Sequence, residues 1–358
     1  MKRIVLIVAL LAAVNAGRAA EGVNPNDQAH FLAGMPVSEG SPLASLTRDP
    51  AWQEHSQEIE KMWTKLEGRS LGKARAWSTN FIRASRSASP CYYLFSGPDI
   101  LYAKTIFPSS STYVLCGTEP LGSVPDMSSW DSGTVAGALA NTRRSIGNLT
   151  RFAYFITKEM QLDLNSKQLN GVTPILYLFL ARLGCQIERV DYVSLSKNGS
   201  LGSSGVPGVR ISFRSGAGSQ TMYYFKADLS NGGSGASVLN FCHRLGPDGL
   251  GLLKAASYLL HSDGFSKSRE FLLSDCRVIV QDDSGIPLRH FKMDRWQLRF
   301  FGRYTNTTGG IFAKYYQPDL AESFARVQPA PLDFQISYQF DPKEANVMVA
   351  TRTAQGKE

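Results

Sequence analysis

The chain reads as an α+β protein in which an α-rich N-terminal half packs on an antiparallel β-rich C-terminal half. Three observations predict this. Before residue 165, two stretches, Pro50 to Leu66 and Gly133 to Met160, repeat their apolar residues at helical spacing. Beyond it, Gln186 to Leu195, Val209 to Phe213 and Gln220 to Lys226 are β-branched and aromatic runs separated by glycine- and serine-rich loops. Between these regions lies Cys91 to Pro120, where two apolar runs enclose a loop of turn-forming residues. With 358 residues, 43% of them apolar, the chain has material for a sizeable core and is not of disordered composition.

In chain order, residues 1 to 20 have the layout of an export signal. Lys2 and Arg3 lead an apolar stretch from Ile4 to Val14, with small residues near Ala16 and Ala19 for cleavage. Losing Lys2, Arg3 and Arg18 with that segment lowers the formal charge from +8 to +5. The remaining basic excess contains no dense Lys/Arg run, so no nucleic-acid partner is expected. The apolar stretch is too short for a permanent transmembrane anchor after signal cleavage. The expected location is periplasmic or secreted.

Residues 21 to 49, with Pro25, Pro36 and Pro42, predict an extended lead-in. An α-rich part, 50 to 165, opens with a helix at Pro50, capped by Thr47 or Asp49 and stopped at Gly68. Within it, Cys91 to Phe95 predicts a strand, and Ser96-Gly97-Pro98-Asp99 a tight turn. A short helix over Asp99 to Phe107 would take Pro98 at its first position and Ser96 or Gly97 near its cap. Thr112 to Cys116 predicts a second buried strand. The β-rich part, 166 to 352, starts with a buried helix from Thr173-Pro174 to Leu183. After the three strands already named come a helix over Leu250 to Leu260 and a hairpin, Cys276 to Val280 and Ile286 to Phe291 around Asp282-Asp283-Ser284-Gly285. Strands over Trp296 to Tyr304 and Asp333 to Tyr338 complete it.

Five cysteines, Cys91, Cys116, Cys185, Cys242 and Cys276, form an odd set for an oxidising compartment. The arrangement around the central loop suggests a Cys91–Cys116 disulfide; five buried apolar thiols are the competing reading. No CxxC pair or metal motif occurs, so neither a metal nor a cofactor is expected.

No GxSxG elbow is present, and the five histidines are dispersed. His243 beside Cys242 is the one Cys/His neighbourhood. Asp99, Glu119 and Asp126 supply loop carboxylates for glycosidic chemistry, although each also has an ordinary turn or capping role available. The binding patch picked out by the turn chemistry is Ser96, Gly97, Pro98, Asp99, Tyr102 and Glu119, with Tyr315 and Tyr316 as a second aromatic candidate.

The segments AHFLAGMP, SPLASL, DPAW, FSGPDILYAKTIFP, YVLCGTEPLG and YYQPDLAESF together resemble a group of exported bacterial proteins of uncharacterised function. That resemblance implies an envelope location in a Gram-negative-type bacterium, and no reaction. The expectation is a non-enzymatic envelope protein that binds another macromolecule or holds an assembly together. The alternative is a hydrolase acting on an envelope glycan through the loop carboxylates.

Overall fold

Two parallel strands from the first half of the chain, β1 (Cys91–Tyr93) and β2 (Thr112–Gly117), sit in the middle of one ten-stranded sheet. The structure is a computed structural model and describes residues 23–152, 169–255, 257–304, 313–334, 336 and 344–353. The export signal expected at 1 to 20, the end of the helix expected through Met160 and most of the strand expected over Asp333 to Tyr338 lie outside the described residues.

The other strands are β3 (Gln186–Leu195), β4 (Leu201–Gly202), β5 (Val206–Ser215), β6 (Gly218–Lys226), β7 (Gly249–Leu253), β8 (Cys276–Gln281), β9 (Trp296–Gly302) and β10 (Asn346–Arg352). Their order is β4-β3-β5-β6-β2-β1-β7-β8-β10-β9. Five neighbouring pairs are antiparallel, all towards the edges. The four central pairs, from β6 through β2, β1 and β7 to β8, are parallel.

Helices cover both faces. On one lie α1 (Pro25–Leu32), α2 (Pro50–Leu66), α3 (Gly72–Phe81), α4 (Ile100–Ile106), α5 (Ser132–Phe152) and α6 (Thr173–Arg182), packed with Cys91, Tyr93, Tyr113 and Leu115. On the other lie α7 (Ala236–Arg244), α8 (Ser266–Asp275) and α9 (Pro318–Val327), packed with Tyr92, Leu94, Val114 and Cys116. The chain is therefore mixed α/β, but the helical half is not segregated from the sheet. The reason lies in β1 and β2: strands buried on both faces need apolar side chains at every position, which is how parallel central strands read.

Several expectations change for local reasons. The lead-in contains α1, begun by Pro25 at its first turn, with the Asn24 side chain accepting from the Asn26 amide. Gly68 does not stop α2, because a π-helical turn, Glu67–Leu71, carries it into α3. The cap of α4 is Asp99 itself, which accepts from the Tyr102 amide at 3.2 Å, so Pro98 precedes the cap. The described residues of Leu250 to Leu260 do not form one helix, and Ser257–His261 is a 3-10 turn. The first part of that run is β7, and a Cβ at Gly249 would lie 2.2 Å from the Tyr92 ring, so glycine there lets the central strands approach.

The hairpin after β8 does not form either, since β8 pairs with β7 and β10. The Gln281 side chain closes the Asp282–Gly285 turn by donating to the Ile286 carbonyl and accepting from its amide. Leu288–His290 is then a 3-10 turn. The strand that lines β8 is β10.

No disulfide joins Cys91 and Cys116; all five cysteines are free and buried. Cys91 stands opposite Tyr113, three positions short of Cys116, a separation of about 10 Å at strand rise. The two side chains also belong to cores on opposite faces. A bridge needs Cα atoms within about 7 Å and Cβ vectors that converge.

Candidate functional site

The parallel strands run β6-β2-β1-β7-β8, while the chain visits them in the order β1, β2, β6, β7, β8. From β1 the chain moves one way to β2 and β6, then crosses back to place β7 on the other side of β1. The connections on either side of the β1/β7 boundary thus diverge, which opens a crevice at the strands' carboxyl ends. A cleft with about 180 Å³ of free space lies there, and its walls come from the residues that follow β1, β2, β6 and β7.

The floor of the cleft is an ion pair. Lys254, one residue beyond β7, places Nζ 3.0 Å from Asp99 Oδ2, with both side chains almost fully buried. The Tyr93 hydroxyl donates to the same oxygen, and Oδ1 caps α4. The Lys254 ammonium also stands 4.1 Å from the centre of the Tyr102 ring. Burial, then the Asp99 charge, push the Tyr93 hydroxyl well above the usual tyrosine range, so Tyr93 is a hydrogen-bond donor and not a base. Next to Lys254, Ala255 has φ of +58°, in the left-handed region that a non-glycine residue adopts only under constraint. The constraint is visible: its amide donates to Asp282 Oδ2 at 2.8 Å.

One wall carries Glu119, two residues past β2. The Tyr224 hydroxyl donates to its Oε2 at 2.8 Å. Its Oε1 lies on the Gly97 side, 3.2 Å from where a Cβ would stand, and accepts no hydrogen bond among the described residues. Gly117 is equally constrained, since a Cβ there would overlap Glu119 Oε2 at 2.1 Å. Two glycines thus make the slot that holds this carboxylate. Leu94, Phe95, Leu229, Leu259 and Phe265 form apolar walls.

Of the expected patch, Ser96, Gly97, Asp99 and Glu119 line this cleft. Pro98 sits in the turn behind them, and Tyr102 is fully buried beneath Lys254. Asp126 is exposed elsewhere and accepts from the Ser128 amide. Tyr315 and Tyr316 stack on Tyr258 and Tyr304, at 4.7 and 5.7 Å between ring centres, and line a separate hollow with Arg289. Cys242 and His243 are on α7, not a strand; Cys242 is buried and His243 pairs through Nδ1 with Asp275 Oδ2 at 2.6 Å.

Lys254 and Ala255 are absent from the expected set because the lysine is the only charged residue of their largely apolar run, LGLLKAASYLL. An apolar run of that kind is ambiguous between buried strand and buried helix, and the paired Gly249 and Gly251 were the available signal for a strand. Among the described residues no group of three or more His, Cys, Asp or Glu could hold a metal ion, and no helix is long and apolar enough to cross a membrane. The chain matches no protein-family model, no curated protein and no solved structure.

Proposed function

We propose that this protein binds a small hydroxyl-rich molecule of nucleoside type in the cleft between β1 and β7. The observation that carries this reading is Glu119, a carboxylate at the end of the second parallel strand with one oxygen tied to Tyr224 and the other open. In doubly wound sheets an acidic side chain about twenty residues after the first-turn glycine accepts from ribose hydroxyls. Glu119 stands in that relation to Gly97. Phe95, Leu229 and Phe265 offer apolar surface for a flat base.

Calorimetric titration with adenosine and 2′-deoxyadenosine tests it. Adenosine is expected to bind, with affinity lowered about tenfold by Glu119→Gln or by loss of the 2′-hydroxyl, as one charged hydrogen bond predicts. Absence of saturable heat with either nucleoside, or equal affinity for both in parent and variant, overturns the reading.

Export to the periplasm and an envelope partner are part of the same proposal and rest on residues 1 to 20 and on the resemblance described above. The second reading, glycan hydrolysis, is favoured by one observation: Asp99 and Glu119 reach the same cleft. Against it, both oxygens of Asp99 are already engaged by Lys254, Tyr93 and the Tyr102 amide, which suits a structural ion better than an acid or base. Release of reducing sugar from envelope glycan that Asp99→Asn and Glu119→Gln both abolish would favour hydrolysis over binding.

A further inference from the structure

The amino ends of β7, β8 and β9 hold a second hollow, with about 530 Å³ of free space, into which Arg277, Arg295 and Arg352 all converge. Among the described residues none of the three has a carboxylate within ion-pair distance. The single acidic residue of the lining, Asp248, is exposed on the turn before β7.

The sheet is distorted to present Arg277. Gly249 pairs with Cys276 and Leu250 with Val278, so Arg277 is the extra residue of a β-bulge. Cys276 and Val278, two apart, consequently pack into cores on opposite faces. A bulge re-aims a side chain and disrupts the ladder locally, which is why such features gather near sites. On the other edge of β8, Val278 pairs with Thr351, and one further step sets Arg277 beside Arg352. Like charges on directly opposed strand positions repel.

Arg352 is fixed in place. Its Nη2 donates to the Leu273 carbonyl at 2.9 Å and also to that of Ser274 at the end of α8, and its guanidinium lies 5.4 Å from the Trp296 ring centre. The Thr353 amide donates to the Arg295 carbonyl, which anchors the third arginine's backbone alongside. The Nε of Arg277 is buried and has no hydrogen-bond partner. A buried donor without an acceptor, together with two neighbouring guanidinium groups lacking counter-charge, describes a site for an anion.

We infer that this hollow is a binding site for a phosphate monoester or a similar compact dianion. Guanidinium forks match the oxygens of such a group in pairs, and Trp296 and Leu273 offer apolar surface to the remainder of the molecule. The site is independent of Glu119 and of the cleft at the other end of the strands.

The test is calorimetric titration of the full chain with inorganic phosphate and with pyrophosphate, against chloride at matched ionic strength. Saturable binding at the low-salt limit is expected, weakened tenfold or more in Arg277→Gln and in Arg295→Gln and largely restored in Arg277→Lys. Circular dichroism verifies that each variant is folded, and Glu119→Gln leaves this binding unchanged. Sedimentation with phosphatidic acid vesicles separates the two sources of such a group. Vesicle binding that depends on Arg277 assigns the phosphate to a lipid headgroup, and its absence alongside pyrophosphate binding assigns it to a soluble ester. No saturable response to phosphate, pyrophosphate or vesicles, or a response that Arg277→Gln and Arg295→Gln leave intact, overturns the inference.

Discussion

The two ends of the same sheet handle charge in opposite ways. Where β1, β2, β6 and β7 finish, an ammonium and a carboxylate are almost wholly withdrawn from water, and every oxygen of Asp99 is met by a donor. Where β7, β8 and β9 begin, three guanidinium groups share a hollow in which, among the described residues, none of them has a carboxylate within ion-pair distance. The difference is one of solvation. A fully desolvated ion is tolerable only when paired, whereas Arg277 and Arg295 retain contact with solvent and can stay uncompensated until an anion arrives. Charge at the first end is therefore locked to its partner; at the second it is free to contribute to affinity.

The largest effect should come from breaking the paired end. Lys254→Met leaves Asp99 buried without its cation, and urea unfolding is expected to show a loss of about 3–5 kcal/mol. Lys254→Met combined with Asp99→Asn should recover most of it. A single-variant loss below about 1 kcal/mol would mean that the pair does not organise this end.

The next effect is a pH dependence confined to the same end. Burial, and then the neighbouring Asp283, push Asp282 up to about 7. A carboxyl raised in the folded state stabilises it fully only below the unfolded value near 4, and that contribution disappears as pH climbs through 7. Unfolding free energy should thus fall between pH 4 and 7 by on the order of 2–4 kcal/mol more in the parent than in Asp282→Asn. Parallel stability curves for the two proteins across that range would refute it. The smallest effect belongs to the other end: Arg295→Gln, at an exposed residue with no ion-pair partner among the described residues, should change stability by no more than about 0.5 kcal/mol in the absence of a bound anion. A larger loss would show that the arginines serve the fold.

The sequence made the first of these ends partly legible and the second not at all. Ser96-Gly97-Pro98-Asp99 announces a turn through local chemistry, and Asp99 caps α4 as such chemistry demands. The strand Gln186–Leu195, beside the two-residue edge strand β4, is readable because a β-branched and aromatic run is bounded there by glycine- and serine-rich breaks. Lys254 was hidden in a run whose central strand has no alternation to betray it. Arg277, Arg295 and Arg352 are scattered singly over many residues, and the β8–β10 and β9–β10 registers together with a one-residue bulge bring them side by side. Glu119's partner Tyr224 could not be read from spacing, because it depends on β2 pairing with a strand that comes a hundred residues later.

The five thiols bear on the order of events during folding. In the finished molecule burial raises all of them, so little thiolate forms and oxidants find no foothold. The unfinished chain has no such protection. A covalent link between Cys91 and Cys116 at that stage would pin together residues destined for opposite sides of the sheet, and β2 would be barred from its register beside β1. Were the chain to fold in an oxidising compartment, assembly of the parallel centre would have to outrun sulfur chemistry, and the rate of folding would matter as much as its final stability.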